Sequence, residues 1–128
     1  YKGARELAAW KAKINSAWQG VSMRRVDNSR SWLMSGDSLK IEVAVALGEL
    51  TADDVVLECI IGTRSDQSSF VEREHISLKP AGKTEQGEAV FSIDLLPPLS
   101  GLQFYKLRLY PSHPLLSHPF ETGHIIWL

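Results

Sequence analysis

Apolar residues occupy alternate positions through the middle of the chain, and this alternation limits the folds open to it more than any other feature. From Leu39 to Leu47 every odd position is apolar, and the pattern returns at Val55 to Ile61 and at Phe91 to Leu95. A period of two is typical of a strand with one buried face. Turn-forming residues interrupt it at 48–54 and 82–87. The pattern therefore favours antiparallel β structure.

Further segments bring the number of predicted strands to about seven. The additional strands are predicted at Val21 to Asp27, Ser69 to Leu78, Gln103 to Tyr110 and His124 to Leu128. Short strands at regular spacing, with no helical pattern between them, are typical of a β-sandwich. We therefore predict a mainly β fold, an immunoglobulin-like antiparallel β-sandwich preceded by one N-terminal α-helix.

A tyrosine at the start of a late strand matches a turn motif of such sandwiches. The run Leu99-x-Gly101-x-x-x-Tyr105-x-Leu107-x-Leu109 resembles the tyrosine corner of fibronectin-type and immunoglobulin-like domains. In that motif the hydroxyl bonds to an upstream backbone group. We therefore expect Tyr105 to be a structural corner residue.

The first residues predict the helix. Residues 1–18 are rich in Ala, Lys, Arg and Glu, and their apolar residues fall near helical spacing around Trp10. Gly20 suits the left-handed residue that often follows a helix. We divide the chain into a helix at residues 1–20 and a sandwich at residues 21–128. Because the chain begins at Tyr1 and not at a methionine, we also expect a piece of a longer protein.

Composition excludes several classes of function. The 128 residues carry 14 Lys and Arg against 15 Asp and Glu, and no basic block that could follow a phosphate backbone. We therefore expect no nucleic-acid partner. No apolar stretch is long enough to cross a bilayer and no signal peptide is recognisable, so we expect no membrane partner. The one cysteine, Cys59, cannot form a disulfide framework, which indicates a cytoplasmic location.

The tail of the chain concentrates groups that could bind a metal. His113, His118, His124 and Glu121 are imidazole and carboxylate ligands, but their spacing matches no known metal motif. Neighbouring prolines hold this segment extended, so the histidines need not converge. We expect hydrogen-bonded loop histidines and no metal site.

Catalytic groups are equally hard to assign. Ser100 lacks a nucleophile-elbow sequence, and Cys59 lies in an apolar run. Asp53 and Asp54 are adjacent, as acids in a solvated turn usually are, rather than arranged for glycosidase chemistry. Glycine loops that bind phosphate are missing. We expect no catalytic residue and no cofactor site.

Aromatic side chains leave carbohydrate binding open as an alternative. Trp32 lies in a turn-rich segment, and Phe104 and Tyr110 occupy the outward phase of a predicted strand, so all three could stack on sugar rings. A structural role is more common: Trp10 and Trp18 would dock the helix, while Trp32 would fill one end of the sandwich or an interdomain seam. We favour the structural role.

Three segments resemble the carboxy-terminal region of bacterial α-glucan phosphorylases. They are Leu7 to Lys11 with Ala17 to Val21, then Val43 to Val56, and Tyr110 to Gly123. The resemblance covers essentially the whole chain. It is specific to the branch in which an additional β-rich domain follows the glycosyltransferase core.

The resemblance implies a parent enzyme that transfers glucosyl units from α-1,4-glucan to phosphate and releases glucose 1-phosphate. It also implies pyridoxal phosphate, held as a Schiff base by a lysine of the core. None of the core motifs occurs in this chain, so neither Lys40 nor Lys79 is assigned that role.

The resemblance further implies a role for the domain. We expect a non-catalytic accessory domain whose helix at residues 1–20 connects it to the catalytic core of its own chain. Interdomain packing or assembly is the expected role, with His113, His118, Phe120 and Glu121 as contact residues. A glucan-binding module with contacts at Trp32, Phe104 and Tyr110, and a free-standing protein-interaction sandwich, remain the alternatives.

Overall fold

A helix lies at one end of two antiparallel sheets that pack face to face as an immunoglobulin-like sandwich. The computed structural model describes residues 2–27, 30–65 and 69–128. Tyr1, the first residue of the predicted helix, lies outside the described residues. The prediction of a mainly β chain with one N-terminal α-helix is confirmed.

Helical structure is confined to the start of the chain and to two short turns within the described ranges. Helix α1 spans Lys2–Ala17 and continues as a 3₁₀ turn at Trp18–Gly20, and a second 3₁₀ turn spans Ala52–Asp54. The strands are β1 Ser22–Arg25, β2 Trp32–Leu33, β3 Leu39–Ala46, β4 Val55–Arg64, β5 Phe70–Ser77, β6 Lys79–Lys83, β7 Ala89–Leu95, β8 Gln103–Pro111 and β9 Ile126–Trp127.

The strands form one sheet in the order β1-β3-β7-β6 and a second in the order β2-β8-β4-β5. β9 also pairs with β8, through Leu109 and Ile126. Register follows the predicted alternation: Val43 lies opposite Phe91 in the first sheet, and Leu57 opposite Leu109 in the second. Both pairs are buried, because the odd-numbered residues of these strands face the other sheet.

Three details differ from the sequence predictions. β2 lies in the segment interpreted as turn-rich, and β6 contains Pro80 and Gly82, which strand interiors disfavour. β6 tolerates them because it is an edge strand with an irregular register at those residues. Gly20 does not adopt a left-handed conformation. Instead the Val21 N–H closes on the Trp18 carbonyl at 3.0 Å, so a 3₁₀ turn ends the helix.

Helix α1 contributes to the same hydrophobic core as the two sheets. Trp10, Ile14 and Trp18 are buried among core residues of the strands. Trp10 reaches Asp54, just before β4 begins and beside the end of β8. We call this the helix-proximal end of the sandwich. The helix-distal end is where β8 begins and β4 ends.

None of the helices in the described ranges combines the length and apolarity needed to span a membrane.

Candidate functional site

The tail, residues 112–125, lies against helix α1. Lys11 and Glu121 form an ion pair, and the rings of Trp10 and His113 lie 4.9 Å apart between centroids. The hydrogen bond and charge of Lys11 lower the pKa of the Glu121 carboxyl. The tail therefore holds the helix both by charge and by ring contact.

A second contact fixes the end of the same helix. His124 Nε2 lies 2.8 Å from Asn15 Oδ1, and its ring centroid is 5.7 Å from that of Trp18. Because Trp18 is itself buried in the core, the tail, the helix and the sandwich share one packed region here.

Asp54 connects the helix to the sandwich from the other side. The Trp10 Nε1–H donates to Asp54 Oδ1 at 3.0 Å, and Lys13 Nζ lies 3.3 Å from Oδ2. Thr51 N–H also donates to this carboxylate, forming a capping box for the 3₁₀ turn. Burial alone would raise the pKa of Asp54, but these donors outweigh it and lower the pKa. One carboxylate thus completes a turn and anchors the helix.

A repeated Ser-His-Pro sequence explains two tail histidines. His113 Nδ1 accepts the Leu115 N–H at 3.1 Å, and His118 Nδ1 accepts the Phe120 N–H at 3.1 Å. Each bond skips the intervening proline, which has no N–H to donate. Both imidazoles therefore act as turn acceptors within the tail.

Phe120 covers a charged pair on the outer face of the second sheet. Its ring lies 4.9 Å from Tyr110 and 4.8 Å from the Arg108 guanidinium. Arg108 Nε donates to Glu58 Oε1 at 2.6 Å, and both charged residues are buried. We did not predict this pair. The sequence does contain a feature that indicates it: each of two apolar strands has a charged residue at an outward-facing position.

The four predicted contact residues thus lie together at the helix-proximal end. His113 and Glu121 contact helix α1, while His118 and Phe120 form the tail turn beside Tyr110. Whether they also face another domain stays a prediction. Within the described ranges, no three His, Cys, Asp or Glu residues cluster as a metal site would require.

The groups considered for chemistry lie apart. Cys59 is fully buried, and burial raises the pKa of its thiol to about 12, so it stays protonated. Ser100 lies in an exposed loop. Lys40 and Lys79 are exposed on strands. Two exposed surface lysines do not provide the enclosed site that pyridoxal phosphate requires.

The three predicted glucan-contact residues do not converge. Trp32 and Phe104 lie opposite each other across β2 and β8, and Trp32 is 42% exposed. Tyr110 is buried near the other end of β8. Guanidinium groups cover one face of both distal rings, with Arg30 4.3 Å from the Trp32 centroid and Arg64 4.3 Å from that of Phe104.

Tyr105 is buried and connects the two sheets. Its hydroxyl accepts a hydrogen bond from Arg25 Nη2 at 2.9 Å, whereas we expected a backbone partner. Arg25 belongs to β1 and also forms a two-point ion pair with Asp27. The edge strand β1 brings this guanidinium within reach of the hydroxyl.

Fold and contacts together define a β-sandwich whose N-terminal helix is held by the tail. The chain belongs to the glycogen phosphorylase C-terminal domain family, whose sequence profile matches residues 18–128. This finding confirms the resemblance inferred from the sequence.

Similarity to individual proteins extends over the helix as well. The maltodextrin phosphorylase of Thermococcus litoralis is 29% identical over 130 residues, covering 99% of this chain and 15% of that protein. The glycogen phosphorylases of Mycobacterium bovis and of Mycobacterium tuberculosis strain H37Rv are each 26% identical over 125 residues, covering 96% of this chain and 14% of theirs. The chain thus spans only a small part of the length of these relatives.

Proposed function

We propose that this chain is a non-catalytic C-terminal accessory domain of an α-glucan phosphorylase. The parent enzyme transfers glucosyl units from α-1,4-glucan to phosphate and gives glucose 1-phosphate, using pyridoxal phosphate in its core. Membership in the C-terminal domain family and the names of the relatives support this proposal. A bacterial source and a cytoplasmic location are part of it, the latter supported by the single buried cysteine.

The role of the domain is interdomain packing, with residues 1–20 as connector and residues 21–128 as sandwich. The clamped helix carries this proposal: Trp10 lies between Asp54 and His113, and Lys11 pairs with Glu121. A connector held on two sides cannot swing independently of the sandwich. The orientation of the helix relative to the core would therefore fix the orientation of the whole domain.

The test uses the full-length enzyme with His113, His118, Phe120 and Glu121 changed to Ala. We expect a lower melting temperature and reduced phosphorolysis of glycogen, because the helix loses its outer contacts. The control changes Lys79 and Lys83 to Ala, two exposed lysines of β6. Unchanged melting and activity in the four-residue variant would contradict the packing role, and absence of glucose 1-phosphate from the wild-type enzyme would contradict the parent activity.

Glucan binding is a second candidate, favoured by the adjacency of exposed Trp32 and half-buried Phe104. This role predicts that deleting residues 21–128 weakens the use of glycogen more than the use of short maltodextrins. Equal loss on both substrates supports the packing role instead.

A further inference from the structure

A groove crosses the outer face of the second sheet at the helix-distal end. Its volume is about 390 Å³. The residues that line it are Ser31, Arg64, Phe70, Phe104, Tyr105 and Lys106. Outer faces of sheets that face water usually carry solvated polar side chains, yet two phenylalanines lie on this one.

Gly62 lies next to Phe70, one of the residues that line this groove. A Cβ atom on Gly62 would lie 2.3 Å from the Val71 carbonyl oxygen and 2.7 Å from the Phe70 ring. The β4–β5 register shifts at the same point, between Ile61 and Gly62. The missing side chain at Gly62 therefore leaves the space that the Phe70 ring occupies.

Cations cover the aromatic rings of the groove. Arg64 lies 4.3 Å from the Phe104 centroid, and Lys106 Nζ lies 4.6 Å from the Phe70 centroid. Among the residues that the structure describes, no carboxylate lines the groove, and neither cation forms an ion pair. The groove thus presents positive charge on an aromatic base.

This arrangement suits a carboxylate better than a neutral sugar. Lys106 lies over the Phe70 ring and Arg64 over the Phe104 ring, so each ring already holds a cation where a sugar would stack. A guanidinium stacked on a ring keeps its donor edge available for two-point binding of a carboxylate. Aromatic residues and arginine are also enriched where protein interfaces concentrate their binding energy.

We propose that the distal aromatic–cation face, made of Trp32, Arg64, Phe70, Phe104 and Lys106, docks on an acidic surface of the catalytic core of the same chain. This inference rests on the proposed function, since it needs that core. The face lies about 23 Å along β8 from the helix-proximal end, taking roughly 3.3 Å per residue. Contacts at two separated places would prevent rotation about the connector helix, which one attachment cannot do.

The experiment is hydroxyl-radical footprinting of the full-length enzyme, read out at Trp32 by mass spectrometry. We compare wild type with Arg64→Glu/Lys106→Glu. The matched control, Lys79→Glu/Lys83→Glu, makes the same change of charge on β6 of the other sheet. We expect Trp32 to be oxidised several-fold more slowly in wild type and in the control than in the Arg64→Glu/Lys106→Glu enzyme. High salt should abolish the difference, because it screens the docking charges.

Two outcomes overturn the inference. In one, Trp32 of the wild-type enzyme reacts as fast as in the Arg64→Glu/Lys106→Glu enzyme. In the other, protection of Trp32 requires added maltoheptaose, which identifies the face as a glucan site. The proposed function is tested by other measurements. They are the release of glucose 1-phosphate by the wild-type enzyme and the melting temperature of the enzyme with His113, His118, Phe120 and Glu121 changed to Ala. The enzyme can meet both of those expectations while Trp32 still reacts rapidly, and in that case only the docking inference fails.

Discussion

The two ends of the sandwich carry similar aromatic residues that have different partners. At the helix-proximal end Trp10 is 8% exposed, donates to Asp54 and makes a tilted ring contact with His113. At the helix-distal end Trp32 is 42% exposed, and the Arg30 guanidinium lies over its ring. The proximal end is closed by the chain itself, whereas the distal end presents aromatic rings and cations to the surroundings.

The difference shows that residue type alone does not assign a tryptophan to core or surface. Each has one polar or charged neighbour and one apolar neighbour in the sequence, Ala9 and Lys11 for Trp10 and Ser31 and Leu33 for Trp32. The tail returns over the helix only at the proximal end, and it brings His113 and Glu121 with it. Stability should therefore depend on the proximal ring, and recognition on the distal one.

The largest expected effect is the difference in stability loss between the alanine variants of these two tryptophans. Trp10→Ala should lower the free energy of unfolding by about 3–5 kcal/mol, because it leaves a cavity and an unpaired Asp54 acceptor. Trp32→Ala should change it by only about 0.5 kcal/mol. Urea denaturation followed by circular dichroism measures both. Similar losses for the two variants would show that the distal ring is part of the core.

A smaller loss of stability is expected at Gly62, next to Phe70 in the helix-distal groove. Gly62→Ala should cost roughly 1–3 kcal/mol, because the added methyl group collides with the backbone of Val71 as well as with Phe70. Gly20→Ala is the control, since a Cβ there meets nothing within 4 Å and its φ is not positive. Equal stability of the two variants would mean that Phe70 does not lie against Gly62.

Tyr105→Phe should lower the free energy of unfolding by about 1 kcal/mol, because Arg25 loses its bond across the two sheets while keeping Asp27. Tyr110→Phe should cost less, since the Tyr110 hydroxyl reaches Glu58 only at 3.4 Å. Thermal unfolding of the two variants under one buffer condition makes the comparison. No loss at Tyr105 would remove its assignment as a structural residue.

The smallest expected effect is on the pH dependence of the melting temperature, through Asp54 at the helix-proximal end. The pKa of Asp54 is lowered in the folded chain, so its carboxylate stabilises the fold fully above its unfolded pKa of about 3.9. That stabilisation is lost as the pH falls through the folded pKa. Asp54→Asn should therefore flatten the decline of melting temperature below pH 4, and Asp53→Asn, at an exposed position, should not. Parallel declines in both variants and wild type would exclude Asp54 as the source.

Much of the fold follows from local pattern. The alternation at Leu39 to Leu47 predicted β3 because a half-buried strand must repeat every two residues. Strands β2 and β6 could not be predicted in this way. β2 has only two residues, and β6 is an exposed edge strand interrupted by proline and glycine, so neither shows apolar periodicity.

The sequence by itself determined the sandwich class, the helix and the family. Strand periodicity, helical spacing and the residue sequence of the tail are all local features of the chain. Only the tertiary structure decided which partners the charged and hydrogen-bonding side chains have. Asp54 meets Trp10 across 44 residues, and Glu58 meets Arg108 across 50. Such pairs depend on which strands become neighbours and in what register, and that is settled by packing of the whole core rather than by the residues beside each group.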